Sequence, residues 1–574
     1  MALITALRIL TLVLLLAIWS RAQETGNRLK TRAELSNYQE TSRYADVLAF
    51  FGQLEKESPL LHLQTFGRSH EGRDLPLVII SEPPLTTTRE ARDSGKIIVF
   101  VLANIHAGEV EGKEACQEIA KRLTGGDLRP LLAKVIVLMA PIYNADGNER
   151  ISLTNRTEQN GPIGGVGVRE NSQGLDLNRD FMKVEAPETK ALLHLFNQWD
   201  PHLTVDLHTT DGSYHGYHLT YTPPLNPSAD EPLLEYHRKK MMPALTKALL
   251  RPHGFRSYYY GNFASEASLK QDIFPGEKGE PKEPKIWRAF SPQPRVGFNY
   301  VGLRNRLYIL SEAYSYLDFQ RRIAVTEAFV TEILKYSAAH GAEIRRLTSE
   351  ADARTIALGR NDKERRLGVQ YIPKALPKPV PILVGEVIKK TNVLSGYEMT
   401  AMVEDAVTAV KMLDYGLFAA ARSVPIARAY LIPRKEEVSA IVEKLQAHGI
   451  VVEQLATPLT ADVDTFTIEK VTRAPRRFQG HDNVRAAGTF QEEKMRFEAG
   501  TYFVRTSQPL GLLAAYLLEP ESDDGAVSWN FLDAFLEPQK VLPVYKLMRS
   551  QDLKRVETRS SKSEENPNRQ LQNH

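Results

Sequence analysis

The sequence predicts an α/β domain built on a mostly parallel sheet, followed by a smaller α/β or α+β domain. Two apolar runs carry the first part. Lys96 to Ala103 (KIIVFVLA) and Lys134 to Met139 (KVIVLM) are rich in β-branched residues and lack polar alternation, as strands covered on both faces do. Between them Val110 to Leu123 has a helical pattern that ends at Gly125-Gly126, so strand, helix and strand follow in order. The second part rests on length: 574 residues exceed what one hydrophobic core usually supports.

The elements follow in chain order. Arg8 sits ahead of the apolar run Ile9 to Trp19, and Ser20-Arg21-Ala22 offers small residues where a signal peptidase cuts, so residues 1–22 are expected to be a signal peptide. A membrane anchor is the alternative, but the run is shorter than the roughly 20 residues that span a bilayer. Thr31 to Leu63 reads as helices and a connector, and Gly67 to Ser81 as strand, charged turn and strand. After the two buried runs, Pro187 to Trp199 reads as a helix with proline in its first turn and Glu188 near its positive end. Leu203 to Leu207 and Arg306 to Leu310 read as strands, separated by a long Pro-, Gly- and aromatic-rich stretch, Pro223 to Tyr300. Phe319 to Ser337 closes the first domain, 31–345, as an amphipathic helix.

Residues 346–380 turn polar and then proline-rich, a linker signal. The second domain, 381–555, contains ARAYLIP, EEVSAIVEKLQAHG and IVVEQL, read as strand, helix stopped by Gly449, and strand. GTYFVR and LGLLAAYLL add a strand and a helix. Residues 556–574 are polar and expected to be a disordered tail.

Composition narrows the partners. The net charge is only +3, and no basic block is interleaved with aromatics, which argues against nucleic acid. The single cysteine, Cys116, lies among apolar neighbours in a helical pattern and reads as a buried thiol, and no intramolecular disulfide can form. An export signal with one cysteine suits a bacterial exported product, secreted or periplasmic, with no stable membrane insertion once the signal is removed. The oligomeric state is not legible.

Four segments carry chemistry. Asn104 to Glu109 (NIHAGE) leaves the end of a buried strand, the edge where α/β sheets bind ligands. Its His106 and Glu109 are good zinc donors, although His-x-x-Glu is common by chance. His208 ends the strand VDLHTT, where it can complete a three-ligand site with an open position or serve as a hydrogen-bonded core histidine. In GLDLNRDF, Arg179 is a fork-like receptor for a carboxylate and Asn178 can add a hydrogen bond. Asp176 can hold the far nitrogen of a metal-bound histidine. Glu312 closes the apolar strand YILSEAY, either as a solvated strand end or as a base for water.

Together GRSHEGRDLPLVIIS, HAGE, PIYNADGNER, LDLNRDF, VDLHTT and ILSEAYS resemble, in order, the zinc metallocarboxypeptidases of the carboxypeptidase A-like family, across about Tyr38 to Ser337. The resemblance implies an α/β/α sandwich with a mixed sheet, and one zinc ion on His106, Glu109 and His208. It implies Glu312 as general base, Asn178 and Arg179 as carboxylate receptors, and an upstream arginine on the scissile carbonyl. Arg169 is the candidate for that arginine, with Arg150 and Arg156 as competitors, and Tyr300 is the candidate for the family's substrate-capping tyrosine.

Two departures stand out. The HSRE-type loop of the digestive enzymes is HAGE here, losing an arginine that touches longer substrates. DLHTTDGSYHGY, with His215 and His218, also resembles the related acyl-amino-acid deacylases. The second domain resembles the C-terminal part of large bacterial proteins of this family. The expected function is removal of C-terminal residues from peptide substrates. A zinc deacylase on the same scaffold and a non-catalytic exported binding protein are the alternatives.

Overall fold

A computed structural model of the chain describes residues 29–270, 284–360, 366–553 and 556–560. The expected signal peptide lies outside the described residues. Among those described, no helix is long and apolar enough to cross a membrane.

The first ten strands are β1 (Leu61–Arg68), β2 (Asp74–Ile80), β3 (Ile97–Ala103), β4 (Val135–Ala140), β5 (Leu203–Thr210), β6 (Leu219–Thr222), β7 (Ser257–Tyr259), β8 (Asn262–Ala264), β9 (Ile286–Arg288) and β10 (Leu307–Tyr314). Eight of them form the central sheet in the order β1-β2-β4-β3-β5-β10-β6-β7. Neighbours among β4, β3, β5 and β10 run parallel, while β1, β2 and β6 join antiparallel, so the sheet is mixed as expected.

Every residue of β3, β5 and β10 is buried. The period of two sorts their side chains between two layers. Ile98, Phe100 and Leu102 point into one core, and Ile97, Val99 and Val101 into the other. The second layer is filled by the helices Tyr44–Glu57, Glu111–Gly125, Met242–His253 and Phe319–Leu358, with Cys116 among their fully buried residues.

The other layer holds the helix Pro187–Trp199, but that helix does not cover it alone. Leu192 and Phe196 share one continuous apolar cluster with Ile441, Leu445, Leu513 and Trp529 from far down the chain. The second domain therefore closes a face of the central sheet.

This changes the expected boundaries. Residues 346–358, read as the start of a linker, continue the forty-residue helix Phe319–Leu358, and Ile344, Thr348, Ala351 and Thr355 are buried along it. The polar composition reflects the solvent face of a helix packed on one side. The proline-rich stretch becomes β11 (Arg366–Lys374) and the start of β12 (Val380–Thr391), which pairs with β13 (Glu398–Tyr415). β13 then joins β9 and β8 of the long insertion in a four-stranded sheet. β11 pairs antiparallel with the strand Leu417–Pro425, and the second domain also holds an antiparallel seven-stranded sheet with the helices Ser439–Ala447 and Gly511–Leu518, an α+β arrangement. Gly449 ends the first of these helices at φ 85°, as its sequence predicted. Of the expected tail, Thr558–Ser560 is a strand paired with Glu453–Leu455.

The union is polar as well as apolar. Arg295, in the insertion, donates from Nε to Asp524 Oδ1 at 2.8 Å, and Trp529 Nε1 donates to the same oxygen at 2.8 Å. Arg295→Met should strand the buried Asp524 carboxylate and lower stability by about 3–5 kcal/mol, read by urea denaturation. Arg295→Met with Asp524→Asn should recover part of the loss, because the neutral amide removes the unpaired charge while its oxygen still accepts from Trp529. A single mutant with wild-type stability would show that the pair does not join the domains.

Candidate metal centre and substrate site

The adjacent ends of β3, β5 and β10 bring the functional side chains together. Asn104 takes a left-handed conformation (φ 64°) that turns the chain out of β3 into the His106–Glu109 loop. His208 lies on β5 directly opposite Glu312 on β10.

His106, Glu109 and His208 each offer a donor atom within 4.8 Å of the others, and all three are buried. His106 Nδ1 lies 3.0 Å from Glu109 Oε1, and His208 Nδ1 lies 2.9 Å from Oε2. Behind each ring stands another carboxylate: Asp176 Oδ1 at 3.1 Å from His106 Nε2, and Asp206 Oδ2 at 2.8 Å from His208 Nε2. Tyr308 also donates to Asp206 Oδ2. Both Nδ1 atoms therefore face one carboxylate while both Nε2 atoms are anchored. That donor set fits one zinc ion, since a cation can replace the Nδ1 protons with the anchors left in place.

The electrostatics follow from burial opposed by charge. Burial pushes Glu109 up, but His106 and Arg156 outweigh it and hold the carboxyl well below its ordinary range. Asp176 is likewise held low against burial by Arg179, His106 and Arg169. His208 is raised against burial by Asp206 and Glu109. Glu312 goes the other way. Burial, supported by the charges of Glu109 and Asp206, raises it to about 8 despite His208 and Arg169. A divalent cation beside it would draw that value back down.

A cavity of about 410 Å³ collects most of the expected residues: His106, Glu109, His208, Arg169, Asn178, Arg179 and Glu312. Arg169 donates from Nε to Asp176 Oδ2 at 2.9 Å, with a further nitrogen 3.3 Å from His106 Nδ1. Asn178 accepts the Gly297 N–H through Oδ1 at 3.0 Å, which leaves its amide nitrogen toward His208 at 3.5 Å. Arg179 bonds the Asn178 carbonyl and lies over the Phe290 ring. Among the described residues it forms no direct ion pair, and its charge remains available to a ligand.

Arg150 does not join the cavity, because it pairs with Glu71 at 3.0 Å. Arg156 does, donating to Glu109 Oε1 at 2.6 Å. It crosses the position left by the small HAGE loop: a Cβ on Gly108 would stand 2.6 Å from Arg156 Nε. An arginine from a different loop thus occupies space that the loop's own missing side chain vacates.

Tyr300 is not brought to the cavity. It is fully buried, with its hydroxyl 2.8 Å from His448 Nδ1 of the second domain, and it serves the core. Tyr260 lines the cavity instead, its hydroxyl pushed up by burial and by Glu312. The insertion between Tyr260 and β10 hid it from spacing arguments. His215 and His218 also stay off the metal site. His215 stacks on Tyr314 at 4.1 Å, and His218 pairs with Glu404 of β13 at 2.8 Å. Asp206 was overlooked although its signal was present, since a residue two before His208 on a strand shares its face.

Residues 47–273 match the zinc carboxypeptidase family, a span that contains His106, Glu109 and His208 and stops short of Glu312. The chain is 23% identical to carboxypeptidase 2 of Trichophyton tonsurans over 494 residues, 81% of this chain and 79% of that protein. It is 29% identical to carboxypeptidase E of Caenorhabditis elegans over 189 residues, 30% of this chain and 38% of that one. Among solved structures, a metallo-carboxypeptidase from Burkholderia cenocepacia aligns at 19% identity and TM-score 0.37, covering 52% of this chain and 69% of that one.

His208→Ala should remove zinc and hydrolysis together, because two ligands hold the ion poorly against water. One equivalent of metal in that variant, by elemental analysis, would refute the ligand set. Glu312→Gln should retain zinc while turnover falls by about two to four orders of magnitude. Loss of metal there would make Glu312 a ligand.

Proposed function

The chain belongs to the zinc carboxypeptidase family through residues 47–273, and from that premise we propose that it removes residues from the free C-termini of peptides. One observation carries the reading. The His-Glu-His group, a buried carboxylate and an Asn-Arg pair line the same cavity, so a terminal carboxylate and its neighbouring peptide bond can be held at once.

A zinc ion held by His106, Glu109 and His208 would polarise the scissile carbonyl and make water at the site more acidic. Asn178 and Arg179 receive the terminal carboxylate. Arg169 meets the oxygen on which negative charge builds during attack. Glu312, opposite His208, takes the proton of the attacking water and returns it to the leaving amine. Phe290, Val296, Phe298 and Leu310 give the cavity an apolar wall, which suits an apolar terminal side chain, and Tyr260 stands where an aromatic ring can cover the substrate. The signal-like residues 1–22 support export, secreted or periplasmic.

Amidating the C-terminus of a good peptide should reduce catalytic efficiency by about one to two decades, the worth of a charge-assisted hydrogen bond. Arg179→Ala should erase that preference by penalising the free acid far more than the amide. The assay includes N-acyl amino acids: strong preference for these over dipeptides and longer peptides would favour a deacylase. Equal cleavage of blocked and free peptides would overturn the carboxypeptidase reading.

A further inference from the structure

The segment that carries Asp176, Asn178 and Arg179 is held from outside its own domain. Among the described residues, the second domain makes four polar contacts to residues 176–185. The Asp176 N–H donates to Gln479 Oε1 at 2.8 Å, and His448 Nε2 donates to the Met182 carbonyl at 3.2 Å. Lys444 donates to the Val184 carbonyl at 3.0 Å, and His481 Nε2 lies 2.8 Å from Glu185 Oε1. Of these contacts, only that of Gln479 falls on a residue that itself bonds a metal-binding histidine.

Gln479 sits at the tip of a hairpin joining the strands Leu459–Arg473 and Val484–Phe497. Phe478 and His481 form the closing bridge, and Gln479 and Gly480 take φ 51° and 83°. Two left-handed residues in this position make the mirror-image turn that favours Asn-Gly. Gln is a poorer choice for that backbone than Asn, but its side chain is one methylene longer, and that length reaches Asp176. Neighbours steady the tip: Phe478 packs under the Arg295 guanidinium and His481 against Trp529.

Asp176 is a junction. Its Oδ1 receives the His106 ring and the Asn178 N–H, its Oδ2 receives Arg169, and its carbonyl receives the Arg179 N–H at 2.9 Å. A change in the pitch of this residue moves a metal-binding histidine, the carbonyl-facing arginine and the carboxylate receptors together.

We propose that Gln479 of the second domain is a positioning residue of the active site, fixing Asp176 and through it His106, Arg169 and the Asn178–Arg179 receptor. The second domain thereby completes the site. The kinetic half of this proposal rests on the carboxypeptidase reading, whereas the metal half does not.

The test compares Gln479→Ala, Gln479→Asn and Gln479→Glu in the full chain. Zinc affinity is read by chelator competition, melting temperature on the metal-free protein, and kcat and KM on a free-acid peptide. Gln479→Ala should weaken zinc binding and lower kcat/KM, each by about 3- to 10-fold, somewhat less than loss of a direct partner of a ligand. Gln479→Asn should leave the melting temperature equal or higher, because it suits the turn, yet show the same losses as Ala because it falls short of Asp176. Gln479→Glu keeps an accepting oxygen at the same reach and should restore zinc affinity. A merely structural role would make the losses follow the melting temperature, and that outcome overturns the proposal, as does wild-type zinc affinity in both Ala and Asn variants. If zinc affinity responds but no free-acid peptide is cleaved by the wild type, the carboxypeptidase reading fails while the positioning role stands.

Discussion

A carboxylate removed from water costs several kcal/mol unless charges or hydrogen bonds replace its hydration. Glu109 is almost wholly buried, and its replacement shell is two imidazoles, Arg156 and the Thr209 N–H. Those imidazoles are then buried too, so each needs its own partner behind, which Asp176 and Asp206 supply. The aspartates recruit Arg169 and Tyr308 in turn. The polar groups around the metal centre radiate from that carboxylate, each shell satisfying the one inside it. Glu312 is the exception: burial and the charges of Glu109 and Asp206 push its carboxyl up more than His208 and Arg169 bring it down.

The second domain belongs to the same system. It covers one face of the central sheet, contributes to its apolar core, and grips the segment that follows Asp176. Catalytic sheet and accessory domain are two lobes of one packed unit, with the forty-residue helix Phe319–Leu358 running between them.

The sheet and the metal centre were legible in the sequence because their signals are local. Continuous β-branched runs mark strands buried on both faces, and ligands at strand ends leave short motifs. Asn178 and Arg179 stand in such a local motif too, and both line the cavity. Tyr300 falls outside the cavity: the long stretch from Pro223 to Tyr300 breaks the spacing on which its identification relied. The supposed linker failed for another reason: thirteen further residues of a helix packed on one side look polar, and only the partner that buries Ile344, Ala351 and Thr355 distinguishes them from a tether. Contacts such as Gln479 with Asp176, 303 residues apart, leave no local trace at all.

The shared core also has a bearing on biosynthesis. His106, Glu109, His208 and Glu312 have all been made before Ile441, Leu513 or Trp529 exists, so one apolar face of the sheet, covered in part by the helix Pro187–Trp199, is not closed until the ribosome has added the last third of the chain. At ordinary elongation rates this interval is on the order of tens of seconds. Throughout that interval the side chains of the metal centre are present without the second-domain residues that pack against this layer of the sheet.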